Sequence, residues 1–254
     1  MSLPDCQVLR LGLQPYREVR ALQESLAAQI AVGRAPPSLL LLEHPHTYTF
    51  GRRGHAHNLL WDEAELARRG VTVAWVDRGG DVTYHGPGQL VGYPLLPLGA
   101  VRLSPDGGRL PQADYTGYLR RLEQVLIRAL ARWGVSACQV EGLTGVWVDH
   151  PLQVEGRRFK ETPNHSRISN LESPNLAKIA AIGVKVDARG VTRHGFALNV
   201  DPDMSYWEGI VPCGLAGYPV TSLAELLGEA PPMSQVAGEV MRAFAQVFDY
   251  EPLD

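Results

Sequence analysis

The twelve residues Arg78-Gly-Gly-Asp-Val-Thr-Tyr-His-Gly-Pro-Gly-Gln89 gather four glycines and a proline around a Thr-Tyr-His core. Glycines let backbone N–H groups come close to a bound group, and His85 offers a donor, an acceptor or a base near neutral pH. The same residues also suit a β-hairpin with two glycine turns, and residue type alone does not separate the two readings. The run matches neither G-x-G-x-x-G nor the Walker pattern, so a phosphate cradle is a weak reading of it.

Three further segments carry reactive types. Lys178-Ile-Ala-Ala-Ile-Gly-Val-Lys185 opens a small, apolar strand on a lysine. Ala180, Ala181 and Gly183 would leave room for a ligand, although a lysine so placed more often marks a solvated strand end. Its odd spacing from Lys185 puts the two lysines on opposite faces. Arg193-His-Gly-Phe-Ala-Leu-Asn199 reads as a strand entered through a glycine, and a lone histidine such as His194 is more often structural than catalytic. Ile210-Val-Pro-Cys-Gly-Leu215 sets Cys213 in a tight turn after an apolar pair. A free cysteine is commonly an inert core thiol, and the turn raises the chance of an accessible one. Cys6 and Cys138 carry no such signal. The pairs His44/His46 and His55/His57 would each share a strand face, but no cysteine or carboxylate stands at ligand spacing beside them. Pro45 and nearby glycines read as loop, and no metal is expected.

Elements must hold these residues in place. Tyr16, Val19, Leu22, Leu26 and Ile30 recur at helical spacing and predict a helix over 16–32. A strand follows at 39–43, then a short helix opened by Asp62 and Glu65 and closed by Gly70. Strands are expected at 71–76 and 90–95, with Pro94 confining the latter to an edge or an end. Asp114 caps a second long helix with Leu119, Leu122, Leu126, Leu130 and Trp133 as its apolar stripe and Gly134 as its stop. Strands at 135–140, 145–148, 179–186 and 197–200, a helix capped by Ser222, and a last helix over 234–247 complete the chain. Helices and strands mix without a βαβ rhythm, giving an α/β (α+β) mixed-sheet class.

Composition sets the bounds. At 254 residues, 45% hydrophobic and 20% charged, the chain has the profile of a globular protein with ample core. A net charge of -3 argues against a sequence-independent grip on nucleic acid. The aliphatic run at 39–42 is too short to cross a bilayer, and the start lacks signal-peptide character. Three scattered cysteines without C-x-x-C suit a reducing cytoplasm rather than a disulfide framework.

Together these segments resemble the lipoyl(octanoyl) transferase family, the octanoyl-[acyl-carrier-protein]:protein N-octanoyltransferases of lipoate biosynthesis. Four matches occur in the family's order: 78–89; Gly145-Val-Trp-Val148 followed by 178–183; 194–200; and Pro212-Cys-Gly214. The resemblance covers about 39–227. It implies one catalytic domain over 1–254 with a biotin/lipoate protein ligase-like fold, and a catalytic pair, Cys213 and Lys178. It also implies substrate contacts at Arg78, Gly79, Gly80, Asp81, Val82, Thr83, Tyr84, His85, Ala181, Ile182, Gly183, Gly195, Phe196 and Ala197. No cofactor is expected. The implied partners are octanoyl-acyl carrier protein as donor, and lipoyl domains of 2-oxoacid dehydrogenase complexes and the glycine cleavage H protein as acceptors, with neither nucleic acid nor membrane. The chain departs from the pattern between Asp149 and Lys178, where the connection is longer, and a mobile insertion is expected at about 150–175.

The chemistry is consistent with that resemblance. Passing an acyl group from one thiol to another is nearly isoenergetic and needs no ATP, and passing it on to an amine runs downhill. The attacking species must be thiolate, which an adjacent ammonium favours. Alternatives of the same fold are an octanoyl amidotransferase and an ATP-dependent lipoate or biotin ligase. A non-catalytic acyl- or metal-binding protein is the alternative from another class.

Overall fold

The computed structural model describes residues 3–98, 102–103, 109–110, 114–149, 176–212 and 218–253. The expected insertion at 150–175 and Cys213 both lie outside the described residues.

Strand β2 (Ser38–Glu43) shows why the main sheet is covered on both faces. Its Leu39 and Leu41 point into one apolar core, Leu40 and Leu42 into another. Side chains of a strand alternate between faces, so an unbroken leucine run is stable only where both faces are buried. One face is packed by α3 (Tyr115–Ala131) and α5 (Met233–Phe248), the other by α1 (Tyr16–Ala31). No helix among the described residues is long and apolar enough to cross a membrane.

Among the described residues the sheet has eight strands. Around β2 stand β1 (Asp5–Leu13) and β6 (Gln89–Leu95), followed by β12 (Thr192–Asn199), β11 (Leu176–Val186), β10 (Leu143–Asp149) and β9 (Ala137–Val140); β13 (Glu251–Leu253) closes the far edge beyond β1. Pairing is parallel at β13–β1–β2 and antiparallel from β2 to β9. A second sheet of three strands, β4 (Thr72–Trp75), β3 (Thr47–Phe50) and β5 (Val82–His85), packs over its own cluster of Tyr48, Phe50, Val82, Tyr84 and Ile210. Short helices α2 (Glu63–Arg68) and α4 (Leu223–Leu227), two 3-10 segments at Ala56–Asn58 and Met204–Gly209, and a two-strand ladder, β7 (Arg102–Leu103) with β8 (Arg109–Leu110), complete the described elements.

The expected caps are present. Asp62, Asp114 and Ser222 accept from the backbone N–H of Glu65, Gly117 and Glu225. Two expectations are corrected and a third resolves to one of its alternatives. The hairpin alternative at 78–89 does not form, because β5 belongs to the small sheet and β6 to the large one; the chain crosses between them at 86–88. There Gly88, at φ +82°, donates to Glu43 Oε2 at 2.7 Å and a Cβ would lie 2.1 Å from the Asp201 carbonyl. Strand β6 is interior, so of the two places left to Pro94 the structure takes the end: Pro94 is the penultimate residue, and pairing to β12 has ended at Gly92. In α1 the buried stripe is Tyr16, Val19, Gln23, Ala27 and Ile30, with Leu22 and Leu26 on its flank. Gln23 is drawn inward because its Oε1 accepts from the His194 N–H at 2.8 Å.

Close backbone approach and open space give glycines opposite sensitivities. A Cβ at Gly195 would lie 2.1 Å from the Gly92 carbonyl, backbone that has nowhere to move, whereas Gly238 within α5 has nothing within 4 Å. Gly195→Ala is expected to lower stability by about 1–3 kcal/mol, and Gly238→Ala to raise it by up to about 1 kcal/mol, both read from urea unfolding midpoints.

Candidate active site

A narrow slot, about 50 Å³, lies between the small sheet and strands β11 and β12. The antiparallel register sets Ala181 opposite Ala197, Ile182 opposite Phe196 and Gly183 opposite Gly195, so the two expected contact segments form one wall. Strand β5 supplies the facing wall, and alternation decides which of its residues take part. Thr83 and His85 line the slot, while Val82 and Tyr84 point the other way into the small sheet's core. Arg78, Gly80 and Asp81 complete the facing side, and Gly79 lines the adjoining vestibule.

Arg78 is buried at the seam. Its guanidinium donates to the Thr49 carbonyl at 2.5 Å, to Thr49 Oγ1 at 3.0 Å and to the Gly79 carbonyl at 2.9 Å. Room for it comes from two glycines, since a Cβ at Gly51 or Gly183 would approach Arg78 to 2.8 or 2.9 Å. Asp81 is equally committed. Its carboxylate accepts from the N–H of His55 at 3.1 Å and of Val82 at 2.7 Å, and from Asn58 Nδ2 at 2.5 Å.

A chain of hydrogen bonds fixes the state of His85. The Thr221 carbonyl can only accept, so the Asn199 amide nitrogen donates to it at 2.9 Å. Asn199 Oδ1 then accepts from Gln89 Nε2 at 2.8 Å, leaving Gln89 Oε1 to accept from His85 Nδ1 at 2.9 Å. His85 is therefore protonated on Nδ1, and its Nε2 accepts from the Thr49 hydroxyl at 3.2 Å. Burial holds it well below its usual pKa, hence neutral. His44 has the same tautomer, with Nδ1 donating to the Gln14 carbonyl and Nε2 accepting from Tyr93; burial pushes its pKa down to about 4. The hydroxyls of Tyr16 and Thr83, both lining the slot, have no partner among the described residues.

His194 closes the slot from below in a left-handed backbone conformation, φ +58°. Its Nε2 bonds Asp77 Oδ1 at 2.7 Å, and Asp77 also takes Arg193 at 2.7 Å and Lys185 at 2.5 Å. The His194 hydrogen bond foremost, with those cations, holds the Asp77 carboxyl well below the usual range. Lys185 thus ties Asp77 down from the side of β11 away from Lys178.

Lys178 is buried, not at a solvated strand end, and faces a vestibule of about 580 Å³ that shares Gly80, Asp81, Ile182 and Gly183 with the slot. Its ammonium sits 4.7 Å from the Trp147 ring centroid. Gly145, at φ +128°, leaves space for its stem, as a Cβ there would lie 3.2 Å from Lys178 Cε. Buried Glu123 stands close, accepting from the Gly145 N–H at 3.0 Å and from Arg120 at 2.7 Å; burial raises its pKa, against the pull of those donors and of Lys178. The backbone of Lys178 pairs with the 219–221 segment, donating to the Pro219 carbonyl at 2.9 Å and accepting from the Thr221 N–H at 3.0 Å. On the other side of 213–217, the Val211 N–H donates to the Asn58 carbonyl at 2.9 Å.

Cys6 and Cys138 are buried, and burial raises their thiols to about 12 and about 11, so both stay protonated. His46 stacks on Tyr206 at 3.9 Å, apart from the stacked His55 and His57. Among the described residues no group of three His, Cys, Asp or Glu is placed to hold a metal. Asp77, Glu123, Thr49 and Tyr16 were not singled out from sequence. Glu123 alone left a signal, a carboxylate inside the apolar stripe between Leu119 and Leu126.

Residues 15–245 match the family model described as lipoyl protein ligase A/B catalytic domain. Relatives named octanoyltransferase are 43% identical over 97% of this chain and 96% of theirs in Chloroflexus aggregans, and 44% identical over 98% and 96% in Solibacter usitatus. Among solved structures, the bipartite lipoate protein ligase of Thermoplasma acidophilum superposes with a TM-score of 0.62 at 15% identity, over 100% of this chain and 88% of that one. A lipoate-protein ligase A bound with ATP gives 0.62 at 17% identity, over 98% and 90%. Both share the fold.

The buried histidines make stability pH-dependent. Unfolded, His44 titrates near 6.5; folded, near 4. Between those values the unfolded chain binds the extra proton, so stability is complete above about pH 6.5 and is lost as pH falls. His85 and His194, also lowered by burial, act in the same direction. His44 alone is expected to remove about 2 kcal/mol between pH 6.5 and 5. Urea midpoints measured across that range should fall, and His44→Gln should flatten the fall by that share. Equal slopes would mean His44 is not held neutral.

Proposed function

Because the chain belongs to the lipoyl protein ligase A/B catalytic-domain family, we propose that it is an octanoyltransferase of lipoate biosynthesis that draws on octanoyl-acyl carrier protein and acylates a lysine of lipoyl domains through a thioester on Cys213. The full-length likeness to octanoyltransferases supports the activity. The observation that carries the site is the seat of Lys178: a buried ammonium between the slot and the segment reached five residues after Cys213. Tyr218, first of that segment, meets the Trp147 ring edge-on at 5.2 Å, the ring that the ammonium faces.

The eight-carbon chain enters the slot between Ala181, Phe196 and Ala197. The Cys213 thiolate, stabilised by the Lys178 ammonium, attacks the donor's thioester carbonyl. The carbon–sulfur bond to the pantetheine arm breaks, and the leaving thiolate takes the proton from Lys178. Lys178, now neutral, removes a proton from the acceptor lysine's amine as it attacks the acyl-enzyme. The amide forms, the Cys213 thiolate leaves, and Lys178 is an ammonium again. Glu123, held by the Gly145 N–H and Arg120, stands near that ammonium. Acyl transfer between thiols requires no nucleotide, and the buried free thiols of Cys6 and Cys138 fit a cytoplasmic enzyme whose partners are proteins.

Incubation with octanoyl-acyl carrier protein, without ATP, should leave an octanoyl adduct that peptide mass places on Cys213. Cys213→Ser should lose turnover by roughly three orders of magnitude or more, while Cys6→Ala and Cys138→Ala retain it. Lys178→Ala should move the pH profile of Cys213 alkylation by iodoacetamide to higher pH. An adduct on another residue, or activity only from free octanoate plus ATP, would overturn the mechanism.

A further inference from the structure

The outer wall of the vestibule is the loop at 51–58, which exposes Arg52, Arg53, His55 and His57. Its backbone is bound inward. The N–H groups of Gly51, Arg52 and Arg53 donate to the carbonyls of Asp81, Arg78 and Gly80 at 3.2, 2.9 and 3.1 Å, and His55 and Asn58 hold the Asp81 carboxylate. Gly51 has no room for a Cβ, which would lie 2.3 Å from the Gly80 carbonyl. A loop so anchored loses little further freedom when its side chains engage a ligand.

Arg53, His55 and His57 face the vestibule with Lys178. The interior arginines Arg78 and Arg193 are bonded to carbonyls or carboxylates. The Arg53 guanidinium makes no ion pair or hydrogen bond among the described residues, and the two imidazoles only stack on each other, at 5.2 Å. Asp81 is the one carboxylate among the described residues lining the vestibule, and its oxygens are taken by donors within the site. The rim is thus an anchored set of nitrogen donors, uncompensated among the described residues, beside the path an acyl donor must leave by.

We propose that this rim binds the phosphate of the acyl donor, the phosphodiester joining pantetheine to its carrier. The inference rests on the octanoyl-transfer reading above. With the acyl chain in the slot and the thioester beside Lys178, the arm runs out through the vestibule and carries its phosphate past Arg53. A guanidinium fork pairs with two phosphate oxygens, and the imidazoles donate from the side.

Two small donors isolate the contribution: octanoyl-pantetheine and octanoyl-4′-phosphopantetheine. The full chain should use the phosphorylated donor with kcat/KM roughly tenfold higher at low salt, the effect of one charge-assisted hydrogen bond, and salt should narrow the gap. In the Arg53→Gln/His57→Gln double variant the ratio should fall toward one, and Arg53→Lys should restore part of it. A ratio of one in the unaltered protein overturns the phosphate site while acylation by both donors upholds the transfer reading. Acylation by neither overturns both. A ratio that survives the double variant, with a raised KM for the lipoyl-domain acceptor, overturns the proposal by assigning the rim to acceptor docking.

Discussion

A guanidinium almost without access to water joins the two sheets. Arg78 leaves the loop before β5, takes the carbonyl and hydroxyl of Thr49 on β3, and presses its stem against Gly183 on β11. A buried cation is tolerable only when acceptors replace its hydration, and removing those acceptors costs several kcal/mol. The surrounding sequence is shaped by that need. Gly51 and Gly183 make way for the side chain, Gly79 turns a carbonyl toward it, and the Gly79 N–H ties the loop to the Val184 carbonyl at 3.0 Å. The slot exists because the sheets meet at this spacing, and its lining follows from which side of each strand faces the seam.

A second constraint links the slot to the wall that holds Lys178. The bonds from Thr49 through His85, Gln89 and Asn199 end on the carbonyl of Thr221, whose own N–H is bonded to Lys178. Every member is buried, and every donor in the run meets an acceptor. Low dielectric strengthens such a chain and penalises any break in it. The imidazole at one end and the lysine backbone at the other are thereby held as one rigid unit.

Much of this was legible in the sequence because local rules governed it. The caps at Asp62, Asp114 and Ser222 and the apolar period of α3 depend on neighbours within one turn, and they appear in place. The glycine-rich run and the small-residue strand stood out because a close backbone approach admits few residue types. The family resemblance carried the contact segments, and the antiparallel register then brought Ala181, Ile182 and Gly183 against Ala197, Phe196 and Gly195. Tertiary decisions were not legible. That β5 and β6 part company at Gly86, that β6 takes an interior place with Pro94 at its end, and that Gln23 displaces the leucines from the buried stripe of α1 all depend on partners more than thirty residues away or in another sheet. Asp77 stayed hidden for the same reason, since its three partners, two cations and an imidazole, come from β11 and β12.

The left-handed turn of backbone at His194 narrows what evolution can place there. Asparagine and aspartate enter that region of φ and ψ more readily than other side chains apart from glycine, but neither carries a ring to reach Asp77. Residues long enough to reach it pay in backbone strain. Drift at this position therefore has no neutral neighbour: each exchange gives up either the bond that restrains Asp77 or the geometry that lets Gln23 hold the chain. A cluster of five charged or polar groups from α1, β11, β12 and the turn before β5 is thus locked in sequence space by one dihedral angle.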